Sequence, residues 1–194
     1  MIKRTALFLT ALGLAFPVCA QERAMGDAEV LALADRQAIW CENWSEATRD
    51  CESLYTLRRE ADGRLILAGM FVLTDRPLIE VTLADIVTLE QGRICSSGAT
   101  SELTIQARLA GVASQEVTAM VRSLLAQSMA EYENSIICQQ FFTSGDPEAM
   151  GEIVTADDVR LYDFESTYRL GTVDSGFLLR PQIGETPEQE FIDL

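Results

Sequence analysis

The longest periodic stretch of the chain, residues 114–133, sets Val117, Met120, Val121, Leu124, Leu125 and Tyr132 at spacings of three and four. That is one stripe of an amphipathic α-helix, about 30 Å long at 1.5 Å per residue. Ser114 has the hydroxyl that a helix N-cap needs. Two polar residues, Ser128 and Glu131, fall within the stripe toward its C-terminal end, and they are the first place to look for a polar site beneath the helix. Glu131 is also placed to reach past a sheet edge into water or to an arginine, which is the plainer role for a carboxylate in a last turn.

Around this helix the texture is that of strands. Residues 53–59 and 64–74 are joined by Glu60-Ala61-Asp62-Gly63, and Asp-Gly is a strong hairpin signal. Residues 65–73 are apolar on both faces, which suits a central strand covered on both sides. Gly69 inside that run signals a bulge or the close approach of something packed above it. Ile79, Val81 and Leu83 alternate with polar residues; beyond them residues 82–91 read either as a helix stopped at Gly92 or, the preferred reading, as the strand continuing through Val87 and Leu89 to a Gln91-Gly92 turn and a return through Ile94 and Cys95. Further strands are predicted over 103–109, 135–143, 158–164 and 167–170. A short helix is predicted over 28–38, capped by Asp27, with Val30, Leu31, Ala34 and Ala38 inward. The expected fold is α+β: a largely antiparallel sheet of about six strands covered by the long helix, with a short N-terminal helix and two disulfides.

The first twenty residues read as an export signal. Lys3 and Arg4 precede an apolar run at 6–16, and Val18-Cys19-Ala20 supplies the small residues of a cleavage site. The run is short for a bilayer of about 30 Å. Residues 21–26 follow as a flexible start, 27–182 form one domain, and 183–194 an acidic flexible tail. Cleavage removes the chain's one lysine and one of its arginines, so thirteen arginines face 30 carboxylates. An acidic surface of this kind favours solubility and repels nucleic acid, whose binding needs clustered cations.

Four cysteines remain after cleavage: Cys41, Cys51, Cys95 and Cys138. An even number in an exported chain reads as two disulfides, with three pairings open. Cys41–Cys51 closing a local loop and Cys95–Cys138 bracketing the helix are preferred. Trp40 and Trp44, four apart beside a cysteine, either pack against a disulfide or form an aromatic surface that stacks on a ligand.

The absences are informative. The chain has no histidine, which excludes Ser-His and Cys-His nucleophile pairs and imidazole metal ligands. Without lysine in the exported form there is no Schiff base and no phosphate-loop lysine. Carboxylates remain, and a glycosidase-like pair needs one acid with a raised pKa in an apolar site. Asp157, Asp158, Asp163 and Glu165 form the densest acid cluster, readable as a calcium site or, more simply, as a solvated strand edge. The reading is therefore a periplasmic or secreted, non-catalytic binding or interaction module without cofactor. A carboxylate-based hydrolase and an envelope-assembly partner are the alternatives. The partner is a protein or a small ligand, with no nucleic acid and no stable membrane insertion once the signal is removed.

Overall fold

The structure, a computed structural model, describes residues 22–143 and 145–182; the signal segment and the acidic tail expected at 183–194 lie outside them. Eight strands follow one another in the chain: β1 (Ile39–Glu42), β2 (Ser53–Arg59), β3 (Leu65–Asp75), β4 (Leu78–Glu90), β5 (Arg93–Ser97), β6 (Ile136–Thr143), β7 (Ala149–Ala156) and β8 (Thr167–Gly171). Each pairs antiparallel with the next, and β8 pairs with β1. The result is a closed up-and-down barrel, an architecture that leaves no free edge in the ring.

This corrects the expected open sheet of about six strands under a helix. The two strands missing from that reading, β1 and β7, are the ones whose neighbours complete the ring. Ile39–Glu42 is only four residues long and sits where the sequence suggested the end of a helix. In β7 the inward positions are Met150, Glu152, Val154 and Ala156, so a glutamate interrupts the apolar alternation. The turn between β4 and β5 was legible. Gln91 and Gly92 adopt φ of 55° and 78° between β4 and β5, the double positive φ of a tight hairpin.

One end of the barrel is plugged by helix α1 (Asp27–Asp35). Its Val30, Leu33 and Ala34 share a core with Trp40, Leu57, Leu65, Ile94 and Phe141. Val30 and Leu33 are 0% and 3% exposed, and each such burial stabilises the fold by about 1.5–3 kcal/mol. Gly26, not Asp27, is the N-cap, and its N–H donates to the Glu29 carboxylate at 3.0 Å. Asp27 instead accepts from the Gly92 N–H, and Gln140 Nε2 donates to the carbonyls of Gly92 (3.1 Å) and Met25 (3.3 Å). The plug is therefore hydrogen-bonded to the β4–β5 turn as well as packed.

At the other end β3 and β4 overrun the ring. Residues 79–84 of β4 leave β5 behind and pair with a side strand, Thr104–Leu109. On this overhang lies α2 (Gln115–Ser128), shorter than the expected 114–133 and followed by a 3-10 turn at Ala130–Tyr132. Ser114 caps it as expected, accepting from the Val117 N–H at 3.3 Å. Val121 packs on Ile79, Val81, Ile105 and Ala107, with Val117 and Leu125 beside it. Phe71 and Val81 are cross-strand partners two positions along from Gly69 and Leu83, so α2 covers a continuation of the barrel's inner face. It stands over the mouth rather than over a flat sheet.

Both preferred disulfides form, Cys41–Cys51 and Cys95–Cys138. Cys95 and Cys138 are directly opposed on β5 and β6. Their loop spans a separation of 43 residues against 10 for the other. Loop-entropy scaling then makes the Cys95–Cys138 bridge the more stabilising by about 1 kcal/mol, within the roughly 2–5 kcal/mol usual for a native disulfide. Urea melts of the Cys95→Ala/Cys138→Ala and Cys41→Ala/Cys51→Ala proteins are expected to rank in that order; the reverse ranking contradicts it.

Candidate functional site

Strand alternation and register determine which side chains enter the barrel. Trp40 opposes Tyr55, Tyr55 opposes Gly69, Leu67 opposes Asp85, and Tyr168 opposes Glu42. Near α1 the inward residues are apolar and closely packed. The Trp40 ring meets Phe141 at 5.1 Å and Tyr168 at 6.2 Å, both edge to face. Toward the mouth the same inward positions become polar: Glu42, Ser53, Tyr55, Asp85, Ser96, Gln139, Glu152 and Tyr168. Eight strands leave a lumen that side chains can fill or that can hold one small ligand.

One part of this polar half is a buried acid–phenol cluster. The Tyr168 hydroxyl donates to Glu152 Oε2 at 2.5 Å, and Ser166 Oγ donates to Glu42 Oε1 at 2.5 Å. The Tyr55 and Tyr168 rings meet edge to face at 6.1 Å. Glu152 is 6% exposed, and its Oε1 and the Trp40 Nε1 have no hydrogen-bond partner among the described residues. Burial pushes the Glu152 carboxyl up to about 8; the Tyr168 bond opposes this, and the charges of Glu42 and Glu165 add to it. Tyr168 is raised first by burial and then by Glu152, and Tyr55 first by burial and then by Glu42.

The other part is a cavity of about 170 Å³ at the mouth. Leu67, Leu83, Ile94, Leu103 and Ile137 form its apolar wall, and Asp85, Ser96, Gln139 and Tyr55 its polar one. Gly69 lets the Tyr55 ring lie against the strand: a Cβ there would fall 2.7 Å from Tyr55 Cε1. The close approach signalled by this glycine is thus an aromatic ring, while the β3–β4 register shifts further on, between Val72 and Thr74. Asp85 is raised by burial, with the Ser96 hydroxyl and the Ile86 N–H pulling it back.

No family model, curated protein or solved structure matches this chain.

The residues singled out in the sequence fall elsewhere. Ser128 is exposed, and its hydroxyl donates back to the Leu125 carbonyl at 3.0 Å. Glu131 is exposed in the 3-10 turn beside Tyr132, whose phenol it raises. Neither lines the lumen cavity. Trp40 is core at 1% exposed, whereas Trp44 is half-buried against Phe177 at 5.5 Å. The acid cluster is dispersed among separate partners. Asp157 accepts from the Ile136 N–H, Asp158 pairs with Arg93 at 3.0 Å, and Glu165 pairs with Arg160. Among the described residues no group of three or more Cys, Asp or Glu is placed to hold a metal ion. No described helix is long and apolar enough to cross a membrane.

The lumen residues were missed because each is a lone polar side chain in an otherwise apolar file. The one available signal was β7, where Glu152 occupies an alternation otherwise filled by Met150, Val154 and Ala156.

Proposed function

We propose that this is a non-catalytic binding protein of an oxidising, extracytoplasmic compartment, and that it takes one small molecule in the mouth of its barrel. The two disulfides support the compartment. The observation that carries the binding reading is the cavity itself. It is about the size that holds one benzene-sized molecule, with an apolar wall and a few convergent polar groups.

A fragment screen followed by amide NMR tests this. Benzene-sized fragments are expected to shift the signals of Leu83, Ser96, Ile137 and Gln139, and Leu103→Trp, which fills the rim, is expected to abolish those shifts. Shifts confined to the outer wall, or unaffected by Leu103→Trp, overturn the reading.

A second reading, carboxylate-based hydrolysis, draws on Glu152, an acid held protonated near neutral pH close to Glu42. Glu152 also borders an outer cleft of about 300 Å³ where β7 and β8 part, together with Asn43, Arg160, Glu165 and Ser166. Its unpartnered oxygen is fully covered, however, and a general acid must reach the bond it protonates. Hydrolysis of a model glycoside that is lost in Glu152→Gln supports this alternative; no turnover by the unaltered protein removes it.

A further inference from the structure

The cavity at the mouth has a one-sided charge. Asp85 is the ionisable carboxylate in its wall, half-buried on β4 between Leu83 and Val87, and no arginine lines it. Ser96 and Gln139 sit in the same wall and add hydroxyl and amide groups that accept as well as donate. Behind Tyr55 the charge is again negative, that of Glu42, beside the Glu152 carboxyl that burial keeps protonated at neutral pH. The fixed charge on the lumen wall is therefore of one sign; Arg122 stands outside it at the rim, its Nη1 donating to the Leu103 carbonyl at 3.4 Å. An anion placed there is desolvated without a partner, a cost that burial makes large. A cation meets the Asp85 carboxylate and the Tyr55 ring in the same wall.

Resting on the binding reading above, we propose that the lumen selects compact organic amines: molecules with one protonated nitrogen, which pairs with the Asp85 carboxylate, and an apolar body of about benzene size that packs on Leu67, Leu83, Ile94 and Ile137.

Three isosteric probes decide it by isothermal titration of the oxidised protein at neutral pH: benzylamine, benzyl alcohol and benzoate. Benzylamine is expected to bind at least tenfold more tightly than benzyl alcohol, and benzoate not at all. In Asp85→Asn, which keeps the side chain's shape, the preference for the amine over the alcohol is expected to fall below threefold while the alcohol still binds. Benzyl alcohol or benzoate binding as tightly as benzylamine overturns the charge selection and leaves the binding reading standing. An undiminished amine preference in Asp85→Asn overturns the assignment to Asp85. Failure of all three probes, together with an empty fragment screen, overturns the binding reading and this inference with it.

Discussion

Raising the pH from about 5 to about 9 is expected to destabilise the protein, and Glu152→Gln is expected to remove most of that loss. The Glu152 carboxyl is held at about 8 against an ordinary 4.5, chiefly by burial. Its folded-state pKa is raised, so its contribution to stability is fully present below pH 4.5 and is lost as pH rises through 8. The slope in that window is about 1.4 kcal/mol per pH unit, and the whole loss is on the order of 3–5 kcal/mol. Acids with depressed pKa values act in the other direction and in another window. Glu52, Asp62, Asp157 and Glu165 are lowered by hydrogen bonds, so their contributions are lost only as pH falls below the ordinary carboxylate range. Stability should therefore peak near pH 5. Glutamine keeps an acceptor for the Tyr168 hydroxyl but leaves its amide hydrogens without a partner, costing about 1–2 kcal/mol at pH 5. The two urea-melt profiles are expected to cross between pH 5 and pH 8. Parallel profiles would show that Glu152 is not the group responsible.

The second large effect is expected at Gly92. This residue has φ of +78°, and a Cβ built on it would lie 1.9 Å from the Met25 carbonyl oxygen. That contact is with backbone, so no side-chain rotation relieves it. Met25 is itself fixed, its N–H donating to the Phe141 carbonyl at 2.9 Å. Gly92→Ala must therefore lift the segment leading into α1, breaking the bond from the Gly92 N–H to Asp27 and those from Gln140, and uncovering Trp40. A loss of about 3–5 kcal/mol is expected, the range for a core disruption combined with a strained backbone. Trp40 emission should shift to the red and exchange of the amides at 27–35 should accelerate. Gly63 is the control: its φ is +89°, but nothing lies within 4 Å of its would-be Cβ. Gly63→Ala should cost only about 1 kcal/mol. Equal losses at the two sites would mean that backbone strain alone, and not the seating of the plug, sets the cost.

Much of the local structure was legible because it rests on short-range physics. The strand Ser53–Arg59, the Gln91-Gly92 turn, the Ser114 cap and the presence of two disulfides follow from alternation, turn chemistry and an even cysteine count, while the choice among three pairings was a preference that the structure bears out. Closure of the ring was not legible. It depends on β1 and β7, and in each an inward position carries a glutamate, Glu42 or Glu152, where the pattern calls for an apolar residue. The same two residues belong to the lumen's acid–phenol cluster. Fold and site thus escaped detection for one reason: alternation reads the apolar half of a barrel and is blind where the interior turns polar. The helix at 115–128 misled in the opposite way. Its apolar stripe is genuine, but what it covers is an overhang of β3 and β4.

The barrel leaves its own circumference at Ser97 and re-enters it at Ile136, and those two residues are already cross-strand partners. Gly98 N–H donates to the Ser135 carbonyl at 2.9 Å just beyond them, and Cys95–Cys138 ties the neck from behind. Residues 99–134, with the side strands and α2, are thus a detour that starts and ends at one doorway. A two-residue turn across Ser97 and Ile136 would leave every rung of the eight-stranded ring intact. The ring is complete without the detour, so residues such as Leu103, which reaches the lumen from it, can diverge without any revision of how the ring is closed.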